Sequence, residues 1–173
     1  MTARRQERNG IRRQLQIRPG TALVSVLVSL LWPGPGPAAL AATTERVVTN
    51  RFSGLAIEGY DPVAYFVDAR PVLGLPEVEA ADAGVVWRFR NVGNRASFVA
   101  HPDIYGPQFG GYDPVDLARG VAVAGQPRFW LVSGQRLYLF AFEEHRDAFA
   151  ADPQRYLQQA VSRWPALEEG LAQ

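Results

Sequence analysis

Alternation of apolar and polar residues marks the clearest strand of this chain. From Val85 to Arg90, Trp87 and Phe89 point one way while Arg88 and Arg90 point the other. That is the period of two expected for a half-buried sheet. Phe129 to Val132 and Leu137 to Phe140 are apolar runs joined through Ser133-Gly134-Gln135, which predicts an antiparallel hairpin. Val63, Tyr65 and Val67 can share one strand face, although Ala64 and Phe66 blur the alternation. Arg70 to Ala83 carries Pro71, Gly74 and Pro76 and reads as mostly a connection, with Glu77, Glu79 and Asp82 facing solvent. Helical spacing appears elsewhere. Asn94 is placed to cap a short helix from Arg95 to Ala100, stopped near His101-Pro102, and a second is predicted from Glu143 to Ala151. Asp152-Pro153 then starts a third, with Tyr156, Leu157, Ala160, Val161 and Trp164 on it and Pro165 as its expected end. Helices of two turns do not persist alone and must be held by packing. The expected class is therefore α+β, a small antiparallel sheet with short helices.

The same pattern occurs twice. Trp87, Phe89, Arg95, Phe98, Ala100, Pro102 and Tyr105 are matched 51 residues later by Tyr138, Phe140, Arg146, Phe149, Ala151, Pro153 and Tyr156. Gly59-Tyr60-Asp61-Pro62-Val63 is matched at an offset of 52 by Gly111-Tyr112-Asp113-Pro114-Val115. Two related strand-helix units in one domain are expected, their aromatic residues meeting in one shared interior.

The N-terminal region has a different character. Six arginines precede the 11-residue apolar run Ala22 to Trp32, which is too short to span roughly 30 Å of hydrocarbon as a helix. Pro33, Pro35 and Pro37 follow, and Ala39-Leu40-Ala41 offers a small-x-small cleavage site. Residues 1–41 are expected to be a signal peptide cut before Ala42, by the secretory or the twin-arginine route, giving a periplasmic or secreted product with no stable transmembrane anchor. Residues 42–56 then form a lead-in, 57–166 the domain and 167–173 a flexible tail. Cleavage also reverses the charge. The chain has 18 basic residues, all arginine, and 17 acidic ones, but residues 42–173 keep 12 against 16, a difference of −4. No basic stripe remains that would neutralise phosphates, which excludes nucleic acid as the expected partner.

There is no cysteine, so disulfides, thiolate metal sites and thiol chemistry are excluded. The four serines of residues 42–173 lack a nucleophile-elbow setting, and no His-Glu-x-x-His motif or phosphate-cradling glycine loop occurs. No catalysis is expected. Arg95 and Arg146, each three residues before a phenylalanine, either cover aromatic surface and pair with carboxylates or bind an anion, and Tyr112 is a further ligand-binding candidate. His101 sits at a helix end, where its ring can meet terminal carbonyls. His145 lies in an acidic setting with Glu143, Glu144 and Asp147.

Gly59-Tyr60-Asp61-Pro62-Val63-Ala64-Tyr65-Phe66, Asn94-Arg95-x-x-Phe98, Pro102-x-x-Tyr105, Pro107-Gln108-Phe109-Gly110-Gly111-Tyr112 and Trp164-Pro165 together resemble the exported YHS-domain proteins of bacteria. The resemblance covers residues 50–166. It implies a small α+β domain and a link to metal handling, through a cysteine that follows Gly-Gly-Tyr in that family. Here Asp113 takes that place, and a carboxylate cannot serve as a soft ligand for Cu(I). Asp113-Pro114 is also an ordinary turn signature, as is Asp61-Pro62. The functional expectation is a non-catalytic binding or accessory module of the cell envelope, with a protein or small ligand as partner and no resident cofactor. The alternatives are a metal-handling protein holding a divalent ion through Asp61, Asp113, Asp116 and His145, and a degenerate family member kept for structural interaction.

Overall fold

The structure, a computed structural model, describes residues 46–171. The expected signal peptide and its cleavage site lie outside them. The fold is α+β, with two antiparallel two-stranded sheets and short helices. A first half runs through a 3-10 turn Ile57–Gly59, α1 (Ala64–Val67), β1 (Leu75–Asp82), β2 (Val85–Phe89), α2 (Val92–Ala100) and α3 (Pro102–Tyr105). A second half has the same order: a 3-10 turn Gln108–Gly111, α4 (Pro114–Leu117), β3 (Gln126–Ser133), β4 (Arg136–Phe140), α5 (Glu143–Ala151) and α6 (Pro153–Leu171).

The two hairpins agree residue for residue. Leu75 faces Phe89 and Glu79 faces Arg88, while Gln126 faces Phe140 and Trp130 faces Leu139. Each first strand is thus bulged at the same place, and each bulge contains a proline, Pro76 or Pro127. Proline has no N–H to give a ladder and is tolerated where the ladder is already broken. Both hairpins turn through two residues with positive φ, Ala83 and Gly84 in one, Gly134 and Gln135 in the other. Such loops match the right-handed twist of the flanking strands.

Several local expectations change. Val63 to Val67 is not a strand. The Asp61 carboxylate accepts the Val63 and Ala64 N–H groups and turns the chain into α1. The predicted connection before Ala83 contains β1, whose alternation is masked because only Val78 along it is buried. The cap of α2 is Asn91, which accepts the Asn94 N–H at 2.8 Å, so the helix begins three residues before Arg95. The cap of α6 is as expected, with Asp152 accepting the Arg155 N–H. Pro165, however, does not end that helix, which continues to Leu171 where a flexible tail was expected. A proline inside a helix removes one hydrogen bond. Here Trp164, Leu167 and Leu171, spaced by three and four, still pack against Leu117 and Ala160 and hold the last turns.

The core is also divided where a single interior was expected. Phe98 packs with Trp87 and Phe89 in one cluster, which also takes in Leu137 and Leu139. Phe149 packs with Tyr138, Phe140 and Val115 in another. Successive residues of β4 point to opposite faces, and both faces are covered. One carries the second half's own aromatic cluster and the other closes the first half's. Tyr65 reinforces that junction, its hydroxyl donating to the Pro127 carbonyl at 3.0 Å and its ring meeting Trp130 edge-on at 5.3 Å. Burial pushes the Tyr65 phenol pKa far above the ordinary tyrosine value.

Candidate functional site

Two buried aspartates sit at corresponding corners. Asp61 and Asp113 are both fully buried. Each follows a left-handed turn, with φ of 41°, 58° and 82° at Ile57, Glu58 and Gly59 and 55°, 62° and 92° at Phe109, Gly110 and Gly111. Each donates its own N–H to a valine carbonyl, Val72 or Val123, just before the bulged strand. One oxygen of Asp61 accepts Val63 N–H, and the other accepts Arg90 N–H at 2.9 Å and the Asn94 side-chain amide at 2.7 Å. One oxygen of Asp113 accepts Val115 N–H at 2.8 Å, and the other accepts Ala141 N–H at 2.8 Å and faces His145 Nδ1 at 2.6 Å. Each carboxylate therefore ties a short helix to the end of the second hairpin strand and to the helix after it.

The corners differ in their remaining side chains. Where the first half has Asn94, the second has His145. Where the first has Ala64, the second has Asp116, whose carboxylate lies 3.6 Å from His145 Nδ1 and 3.1 Å from Arg119. Asp113, Asp116 and His145 thus form a compact oxygen/nitrogen cluster, their ligand atoms within 4.8 Å of one another. Asp61 is not part of it, which corrects the four-residue set expected from sequence; its oxygens are committed to the first corner. The 2.6 Å contact puts a proton between the Asp113 carboxylate and His145 Nδ1. The distance is that of a hydrogen bond. A cation held by Asp113 and Nδ1 together would have to displace that proton.

The other sequence candidates are placed less favourably. Arg146 pairs with Asp147 at 2.7 Å and Glu143 at 2.9 Å on the exposed side of α5. Its hydrogen bond to Asp147, with that to Glu143, keeps its pKa above the ordinary guanidinium value. Arg95 is half-buried on α2. Tyr112 is buried against Trp164, their ring centroids 5.8 Å apart, so it is core rather than ligand surface. His101 follows α2 with its side chain exposed.

Sequence reading missed a groove of about 510 Å³, a volume within the usual range for small-ligand sites. Trp87 and Phe98 reach it from the first half, Phe109 and Trp164 from the second. The rings form two contacting pairs, at 4.9 Å for Trp87 and Phe98 and 5.7 Å for Phe109 and Trp164. Asp82 at the first hairpin's tip, Glu168 on α6 and Arg46 supply the charges. Gly110 fixes one edge, because a Cβ there would fall 1.9 Å from the Arg46 carbonyl oxygen. The only signal in the sequence was the cluster of aromatics, which reads equally well as core.

Among the described residues no helix is long and apolar enough to cross a membrane. No protein-family model matches the chain, and searches of curated proteins and of solved structures likewise gave no match.

Proposed function

We propose that this chain is an exported, non-catalytic binding module of the cell envelope, related to the YHS-domain proteins, whose ligand occupies the groove between its two halves. The observation that carries the reading is the groove's make-up: aromatic residues from both halves converge on it, with a few charged groups at its edges. Ligand sites commonly combine aromatic side chains with a small number of placed polar groups. The leader-like first 41 residues support export, and the sequence motifs support the family. Fractionation followed by N-terminal sequencing tests the location, with a periplasmic product beginning at Ala42 expected; a cytoplasmic protein beginning at Met1 would refute export. Fragment screening by NMR tests the binding reading, with the Trp87 and Trp164 indole signals expected to respond first.

The Asp113, Asp116 and His145 cluster favours a second reading, a divalent-cation site of oxygen and nitrogen ligands. Binding there has to displace the proton between Asp113 and His145 Nδ1. Native mass spectrometry with Mn, Co, Ni, Cu and Zn is the test. Stoichiometric retention lost in Asp116→Ala would support this reading, and no retention of any of the five would remove it.

A further inference from the structure

We propose that the groove takes an organic cation, an alkylated or quaternary ammonium group held against its aromatic residues; this rests on the reading of the groove as the ligand site. The face of an aromatic ring attracts cations, tryptophan most strongly. Trp87 and Phe98 are buried at the base of the groove, so the ring surface open to a ligand is that of the half-buried Trp164 and Phe109.

Charge points the same way. Asp82 and Glu168 approach from different elements, a hairpin tip and a helix, while Arg46 is the single cation of the lining. Two carboxylates against one guanidinium leave the groove net negative. An anionic ligand would meet one exposed arginine opposed by both acids, and a purely apolar ligand would gain nothing from either carboxylate. The excess of acidic over basic residues in 42–173 adds a field that favours approach of cations over anions.

Construction of the groove departs from the correspondence between halves. Helix α3 has 4 residues, and its counterpart α6 has 19. The added length carries Trp164 and, one turn further, Glu168, which share a helix face at a spacing of four. An aromatic ring and a carboxylate are thus delivered together to one side of the groove by the segment that the first half lacks.

The probes are choline, its uncharged isostere 3,3-dimethylbutan-1-ol and benzyl alcohol, titrated into the purified protein and followed through the indole N–H signals of its tryptophans. Choline is expected to shift the Trp87 and Trp164 signals and to bind about tenfold more tightly than the isostere, the order expected when a cation–π contact is added to the same shape. Glu168→Gln and Asp82→Asn, each leaving an isosteric side chain at a solvent-accessible site, should weaken choline several-fold and leave the isostere unchanged. Equal affinity for choline and the isostere overturns the cation and leaves the groove as an uncharged-ligand site. Choline binding unaffected in the Asp82→Asn/Glu168→Gln double variant also overturns it. A response to benzyl alcohol but none to choline has the same meaning, and silence towards all three probes removes the groove reading as well.

Discussion

Asp61 and Asp113 occupy equivalent corners, yet only the second carboxylate is joined by an imidazole and a further carboxylate. In the first, a neutral amide from Asn94 and three backbone N–H groups satisfy the carboxylate beside Ala64. In the second, an imidazole replaces the amide, and a second carboxylate, Asp116, replaces the methyl group of Ala64. The first corner shows that folding needs only an acceptor and one side-chain donor. His145 and Asp116 therefore exceed what the turn requires, and they are what sets the second corner apart chemically. Much the same holds for the helices that close each half: α3 ends after one turn, whereas α6 continues and builds part of the groove.

The largest effect should come from deleting the shared element. Asp113→Ala leaves two buried N–H groups and one imidazole without their acceptor, and Asp61→Ala strands three N–H groups and an amide. Each should cost about 3 kcal/mol or more in urea unfolding. A cost below about 1 kcal/mol at either site would mean that the carboxylate is not the tie between its helix and hairpin.

Tyr65 is a smaller test of what joins the halves. Its counterpart in the second half is Leu117, which lacks a hydroxyl. Tyr65→Phe leaves the Pro127 carbonyl unpaired and should cost about 1 kcal/mol. Burial raises the folded-state pKa of this phenol, so its contribution is present below about pH 10, the unfolded tyrosine value, and is lost as pH rises above it. The variant should therefore lose less stability than the parent above pH 10, although Tyr138, also raised by burial, still contributes. Identical alkaline profiles would place the Tyr65 hydroxyl outside the junction.

The smallest change is His145→Asn, which installs the first corner's solution in the second. An amide can donate to Asp113 as Asn94 donates to Asp61, so unfolding stability should fall by no more than about 1 kcal/mol. Any bound divalent cation should be lost at the same time. A loss as large as that of Asp113→Ala would show that the two corners are not interchangeable and that the imidazole is itself structural.

Much of the local structure could be read from residue order. The second hairpin, α5 and the Asp152-Pro153 start of α6 rest on strong local signals: apolar runs around Gly134, a short helical pattern, and a cap followed by proline. Other elements depend on partners far along the chain. Val63 to Val67 alternates well enough for a strand, but the Asp61 carboxylate captures its first N–H groups and makes it helical. β1 is too polar to announce itself and forms because β2 supplies its ladder. Pro165 would end an isolated helix, but the packing of Trp164, Leu167 and Leu171 outweighs one missing hydrogen bond.

The candidate site divides in the same way. Asp113, Asp116 and His145 could be nominated from residue type, but not the exclusion of Asp61, because separation along a chain does not say which side chains share a corner. By itself the sequence determined the α+β class, the twofold motif and the absence of thiol chemistry, all of which follow from local propensity and composition. Only the tertiary structure decided that β4 is covered on both faces, that Phe98 and Phe149 lie in different clusters, and that four aromatic residues converge on a groove. Those outcomes depend on contacts between residues distant in sequence, which local periodicity does not encode.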